Sequence, residues 1–156
     1  MSRRLFQDLW PKEFSYCFGC GRNNKKGLQI KSYWEGNEAI CIWAPKEEYM
    51  AGKGILCGGI IATLIDCHCL NTAIAATYKS EGRELNTEPF IPYATGTLQV
   101  QLLKPISLEK LVTLRAKIEK IKDKKIFVSC LVFSDNILCA QGEIIAVGVP
   151  REFWKK

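Results

Sequence analysis

Apolar and polar residues alternate along residues 27–34 and 38–44, and Glu35-Gly36-Asn37 lies between the two stretches. This period of two, interrupted by a turn signal, predicts a β-hairpin. A different pattern follows. From Gly54 an apolar run continues past Ala76 to Tyr78, opened by Gly58 and Gly59 and holding one carboxylate, Asp66. Its length predicts a helix of about five turns. Ile60, Ile61, Ala62, Leu64, Ile65, Leu70, Ala73, Ile74 and Ala76 fall all round that helix, so it is expected to be buried on every side. An acid in such a place is costly unless it is paired or has chemical work to do.

Beyond the helix, residues 95–103, 111–121, 126–133 and 138–149 read as strands, with polar turns at 122–125 and 134–136. Two strands, one helix and four closely connected strands predict an α+β domain in which a curled antiparallel β-sheet wraps around one long central helix. Residues 79–93 form a long Pro-containing connection, the kind of loop that often covers a site. Arg83 and Tyr93 in it are candidate substrate contacts. Near the N-terminus, Phe6, Leu9 and Trp10 are spaced to cover an edge of the core.

Composition narrows the classes. The chain has 156 residues, enough for one domain with a real core. The formal net charge is +6, with Lys and Arg gathered at 22–31, 117–125 and 151–156. These bases are mixed with acids and no nucleic-acid-reading motif appears, so nucleic acid is not an expected partner. The first ten residues are charged and lack an apolar signal core, and no run of eighteen apolar residues occurs. Neither a signal peptide nor a membrane span is expected, and the eight cysteines read as reduced thiols in a cytoplasm. Cys17-x-x-Cys20 with Cys67-His68-Cys69 offers ligands enough for zinc on paper. No second close pair stands beside the first, so no metal is expected, and no cofactor either.

Three landmarks in order resemble one family. Cys57-Gly58-Gly59, six residues and then Asp66 is similar to the His-Gly-Gly-x6-Asp motif of the PaaI-like acyl-CoA thioesterases, which have the hotdog fold. Thr95 stands ten residues before Pro105, as in that family's strand pattern. Cys17-Phe18-Gly19-Cys20-Gly21 followed by Gly27-Leu28 matches a segment seen in one branch. The resemblance spans residues 17–149 and implies three parts: an N-terminal segment (1–25), a hotdog thioesterase domain (26–150) and a short tail (151–156). It further implies an acyl-CoA substrate and a homodimer, or a dimer of dimers. The basic clusters then suit the phosphates of coenzyme A, although a solvated strand face explains any single lysine as well.

The chemistry can also be built from the residues. Thioester hydrolysis needs an activated water or nucleophile and donors for the developing oxyanion. Backbone N–H groups in a helix's first turn lack intrahelical partners and lie at the positive end of its dipole. Gly58 and Gly59 can therefore form an oxyanion hole, with the Gly58 N–H favoured by the resemblance, and Asp66 is the natural base or nucleophile. Thr95 is a candidate to position the acid or water, a strand-start residue being the plainer reading. Gly59 and Asp66 lie about 10 Å apart along one helix. A single thioester cannot reach both, so two antiparallel copies of the helix are expected to share each site.

Two departures matter. Cys57 replaces the family's His, and Ala51 stands where many members have Asn, so polar groups that orient thioester or water are missing. Cys57 is a candidate substrate contact, and a small buried thiol is a plainer reading than a nucleophile. The only histidine, His68, points to another face of the helix than Asp66. A non-catalytic acyl-CoA-binding hotdog protein is the rival reading. A hotdog dehydratase is weaker, because it needs a well-placed histidine.

Overall fold

A computed structural model describes residues 3–154; Met1, Ser2, Lys155 and Lys156, the outer ends of the N-terminal segment and the tail, lie outside the described residues. Six strands, β1 (Tyr33–Glu35), β2 (Glu38–Trp43), β3 (Tyr93–Leu102), β4 (Val112–Lys122), β5 (Lys125–Ser134) and β6 (Ile137–Gly148), form one sheet in the order β1-β2-β4-β5-β6-β3. Every neighbouring pair is antiparallel. The sheet curls around one helix, α1 (Gly58–Ser80). This is the hotdog architecture that the sequence resemblance implies.

Alternation explains the sheet. Val112, Leu114 and Ala116 of β4 and Ile126, Val128, Cys130 and Val132 of β5 are buried, with their neighbours turned outward. They face Leu64, Ile65 and Ala73 of α1 within one core. Close approach of helix and sheet relies on small residues. A Cβ on Gly142 of β6 would lie 2.6 Å from the Gln99 carbonyl oxygen and 3.0 Å from an Ile65 methyl. Asp135 and Asn136 both take positive φ, the two-residue turn that the right-handed twist of a β5–β6 hairpin requires.

Two expectations need correction. The alternating stretch 27–34 contributes only its end to the sheet, because β1 starts at Tyr33. Its earlier residues bond elsewhere: Leu28 N–H donates to Phe18 O and Ile30 N–H to Gly19 O, which ties this stretch to the Cys17–Cys20 loop. Nor is α1 buried on every side. It spans 23 residues, and Gly59 is exposed while Ala62, Thr63, Asp66 and Leu70 are only partly covered. Those positions recur at i, i+3, i+4, i+7 and i+11 and so form a stripe. The N-terminal segment covers the helix farther along, where Trp10 packs on Tyr78. Length and composition alone would also let α1 span a bilayer, a test that a buried core helix passes as well. In this fold its most apolar window is 61% buried.

Candidate active site

Asp66 sits two turns into α1 on the open stripe, with one oxygen bound. Thr95 Oγ1 donates a 2.6 Å hydrogen bond to Asp66 Oδ1. The aim of Thr95 follows from a β-bulge: the β3–β6 register shifts between Thr95 and Thr97. Gly96 occupies the bulge, where a Cβ would come within 2.8 Å of a Val147 methyl. Such a bulge redirects a side chain at the cost of one ladder position. Burial raises the Asp66 pKa; the Thr95 bond opposes this, and the nearby Cys17 adds to it. Asp66 is thus a strengthened base with one oxygen fixed.

Around it lies a cleft of about 750 Å³ lined by Asp66, Thr95 and Tyr93 together with Trp10, Phe14, Leu70, Ile74 and Phe90. Part of its lining comes from remote segments. Phe153 and Trp154 of the C-terminal turn reach it, and Arg151 holds that turn in place. Its guanidinium bonds Glu13 at 2.6 Å and Glu88 at 3.0 Å and lies over the Phe14 ring. Aromatic contacts link Trp10 and Phe14 to Phe90. These wall residues escaped the sequence reading because three separate parts of the chain supply them; only the spacing of Phe6, Leu9 and Trp10 hinted at a cover.

Gly58 and Gly59 lie at the helix start, outside this cleft. Cys57 is the N-cap, and its side chain makes no capping bond. The first intrahelical donors are Ile60 and Ile61, both to Cys57 O, so the Gly58 and Gly59 N–H groups have no partner among the described residues. A capping Ser, Thr or Asp would satisfy an early N–H of this helix; Cys57 leaves that positive end open to a ligand. Gly58 is also tight, since a Cβ there would meet Leu102 at 2.7 Å. From Gly58 to Asp66 is eight residues, about 12 Å along the axis.

Arg83 serves its own loop rather than the cleft. It bonds Glu81, Thr87 and the Pro89 carbonyl and lies over the Tyr78 ring. Tyr93 does line the cleft, and its hydroxyl accepts a 3.4 Å bond from Thr77. His68 is fully buried, with its ring nitrogens on Ser32 Oγ and Ala39 O. Burial pushes its pKa down to about 4, so it is neutral, and it is no base for Cys57.

Three thiols meet on the cleft wall. Cys17 and Cys67 Sγ are 3.8 Å apart, and Cys20 completes a cluster in which all three sulfurs lie within 4.8 Å. Hydrogen bonds from the Cys20 and Cys67 thiols pull the Cys17 thiol down, and the same bonds push Cys20 and Cys67 up. The sequence set Cys17 and Cys20 beside Cys67 and Cys69 only as ligands on paper; the fold brings Cys67 to the pair. Cys69 is buried in the core instead.

No family model matches the chain. It is 32% identical over 97 residues to "Acyl-coenzyme A thioesterase THEM4" of Xenopus laevis; the match takes in 62% of this chain and 38% of that protein, so the chain spans well under half of that relative's length. A crystal structure of a thioesterase superfamily protein from Shewanella loihica PV-4 superposes with a TM-score of 0.63 at 30% identity, covering 78% of this chain and 91% of the other. A phenylacetic acid degradation-related protein from Ralstonia eutropha JMP134 has a TM-score of 0.63 at 15% identity, covering 77% and 85%, and speaks for the fold alone. Sequence identity over nearly the whole Shewanella protein, on the same curled sheet and helix, makes this chain a member of the thioesterase superfamily.

Proposed function

We propose that the chain hydrolyses the thioester of an acyl-CoA to the free acid and coenzyme A, at sites shared between two copies. The observation that carries this reading is Asp66, held by Thr95 at 2.6 Å on the wall of an apolar cleft. Asp66 Oδ2 accepts no bond from the described residues and is free to take a proton from water. That water adds to the thioester carbonyl, and the oxyanion lies on the Gly58 and Gly59 N–H groups of the second copy. The carbon–sulfur bond then breaks, and the proton on Asp66 passes to the departing thiolate. Apolar walls from Trp10, Leu70 and Ile74 suit an apolar acyl group.

The offset of about 12 Å supports sharing, and the sheet offers a route to it. β3 is a free edge, and Leu98 and Leu102 on it are exposed apolar side chains. Leu102 also touches Gly58, so an edge-to-edge partner would arrive beside the open N–H groups. The missing His and Asn, replaced by Cys57 and Ala51, favour a second reading, a non-catalytic acyl-CoA binder.

Thiol release from a panel of acyl-CoA thioesters separates the two. Wild type should turn over at least one of them, and Asp66→Asn should lose about 100-fold or more in turnover with the fold retained. Binding without turnover in both proteins would establish the binder instead.

A further inference from the structure

We propose that Cys17, Cys20 and Cys67 form a three-thiolate site for Zn²⁺ that fastens the N-terminal loop to α1. The geometry suits the ion. Zinc bound tetrahedrally at Zn–S of about 2.3 Å sets its sulfurs about 3.8 Å apart. Cys17 and Cys67 already stand at 3.8 Å, and the remaining pairs lie within 4.8 Å, so binding requires shifts of about an ångström. Cys17-Phe18-Gly19-Cys20-Gly21 is a tight loop closed by Gly21 N–H on Cys17 O. Inside it, the Gly19 N–H points at Cys17 Sγ at 3.3 Å, a donor that supports a thiolate.

Two further residues are built around these sulfurs. A Cβ on Gly19 would lie 2.4 Å from Cys67 Sγ, so only glycine lets the loop reach the helix thiol. Asn71 donates to Cys20 Sγ at 3.3 Å, and Trp10 Nε1 fixes that amide by a 2.6 Å bond to its oxygen. Oriented donors of this kind are what surround metal-bound thiolates. Soft sulfur selects Zn²⁺ over Mg²⁺ or Ca²⁺, which demand oxygen. Among the described residues no fourth His, Cys, Asp or Glu joins the cluster, so the fourth position falls to water from the cleft. Each thiol releases its proton to solvent as the ion enters.

The test reads metal, not thioester turnover, and is therefore separable from the proposed activity. The full chain, purified with a phosphine reductant and stripped with a chelator, is titrated with Co²⁺ and then with Zn²⁺. One Co²⁺ per chain should bind with thiolate-to-cobalt charge transfer and the visible bands of a four-coordinate site, and Zn²⁺ should displace it. Cys17→Ser, at an exposed position, should weaken Zn²⁺ at least 100-fold; Asn71→Ala should weaken it about 10- to 100-fold, and Cys139→Ala should not. Zn²⁺ should raise the melting temperature of the wild type and not of Cys17→Ser. Failure of the wild type to bind, equal binding by Cys17→Ser and wild type, or Mg²⁺ binding as tightly as Zn²⁺ would each overturn the site.

Discussion

At the scale of single residues, the hydroxyl of Thr95 divides the work of Asp66 between its two oxygens. One is fixed by the 2.6 Å bond and the other is left to water. Thr95→Val keeps the shape and removes the donor, so the carboxylate gains a rotational freedom it does not have in the native cleft. A bond to a charged acceptor is worth about 1.5–3 kcal/mol, and turnover should fall roughly 10- to 100-fold with little change in KM. Steady-state kinetics on a hydrolysed thioester check this; unchanged turnover would show that the bond only holds the strand. Cys57 gives a complementary outcome. With no capping bond and no histidine within reach as a base, Cys57→Ala, which removes the thiol without adding a capping hydroxyl, should retain hydrolysis, and a trapped acyl group on Cys57 would reverse that assignment. Asp66 and the glycine pair were legible because their relation is local, seven residues of one helix. The contacts of Cys67 with Cys17 and of Trp10 with Asn71 were not, because proximity across 50 or more positions leaves no periodic trace.

Elements fix where those residues meet. The spacing of β6 from α1 depends on Gly142, which sits between the Gln99 carbonyl and Ile65. Gly142→Ala must push strand or helix aside, and overpacking of this kind costs about 1–3 kcal/mol. A lower denaturant midpoint with an unchanged slope is the expected result. A buried polar chain does similar work on the other side of α1, where Gln7, Ser32 and His68 satisfy one another. Ser32→Ala leaves Gln7 and His68 each short of a partner and should cost about 1–3 kcal/mol by the same measurement. The four C-terminal strands could be read to within a residue or two because alternation and turn residues agree there. The stretch 27–34 misled for a physical reason. Alternation records which side chains face inward, and it cannot tell whether the backbone bonds go to a strand or, as here, to the Cys17–Cys20 loop.

For the whole molecule, the separation of Gly58 from Asp66 makes assembly a catalytic variable under the proposed reading. Two inactive variants, Asp66→Asn and Gly58→Val, should complement when refolded together. A mixed dimer holds one site with both lesions and one with neither, so random pairing restores about a quarter of wild-type activity. Heterodimers that stay inactive would refute shared sites. Leu98→Lys on the free β3 edge should favour monomers in sedimentation and lose activity with them. Arg151 has a consequence of another kind. One guanidinium ties the C-terminal turn to Glu13 near the start of the chain and to Glu88 in the connection after α1. The C-terminal part of the cleft lining thus rests on ion pairs at the surface, which dissolved salt weakens. Ionic strength should therefore act as a tuner of the cleft's size: with rising salt Phe153 and Trp154 loosen from its wall, and under the proposed reading turnover of bulky acyl thioesters rises more than that of small ones.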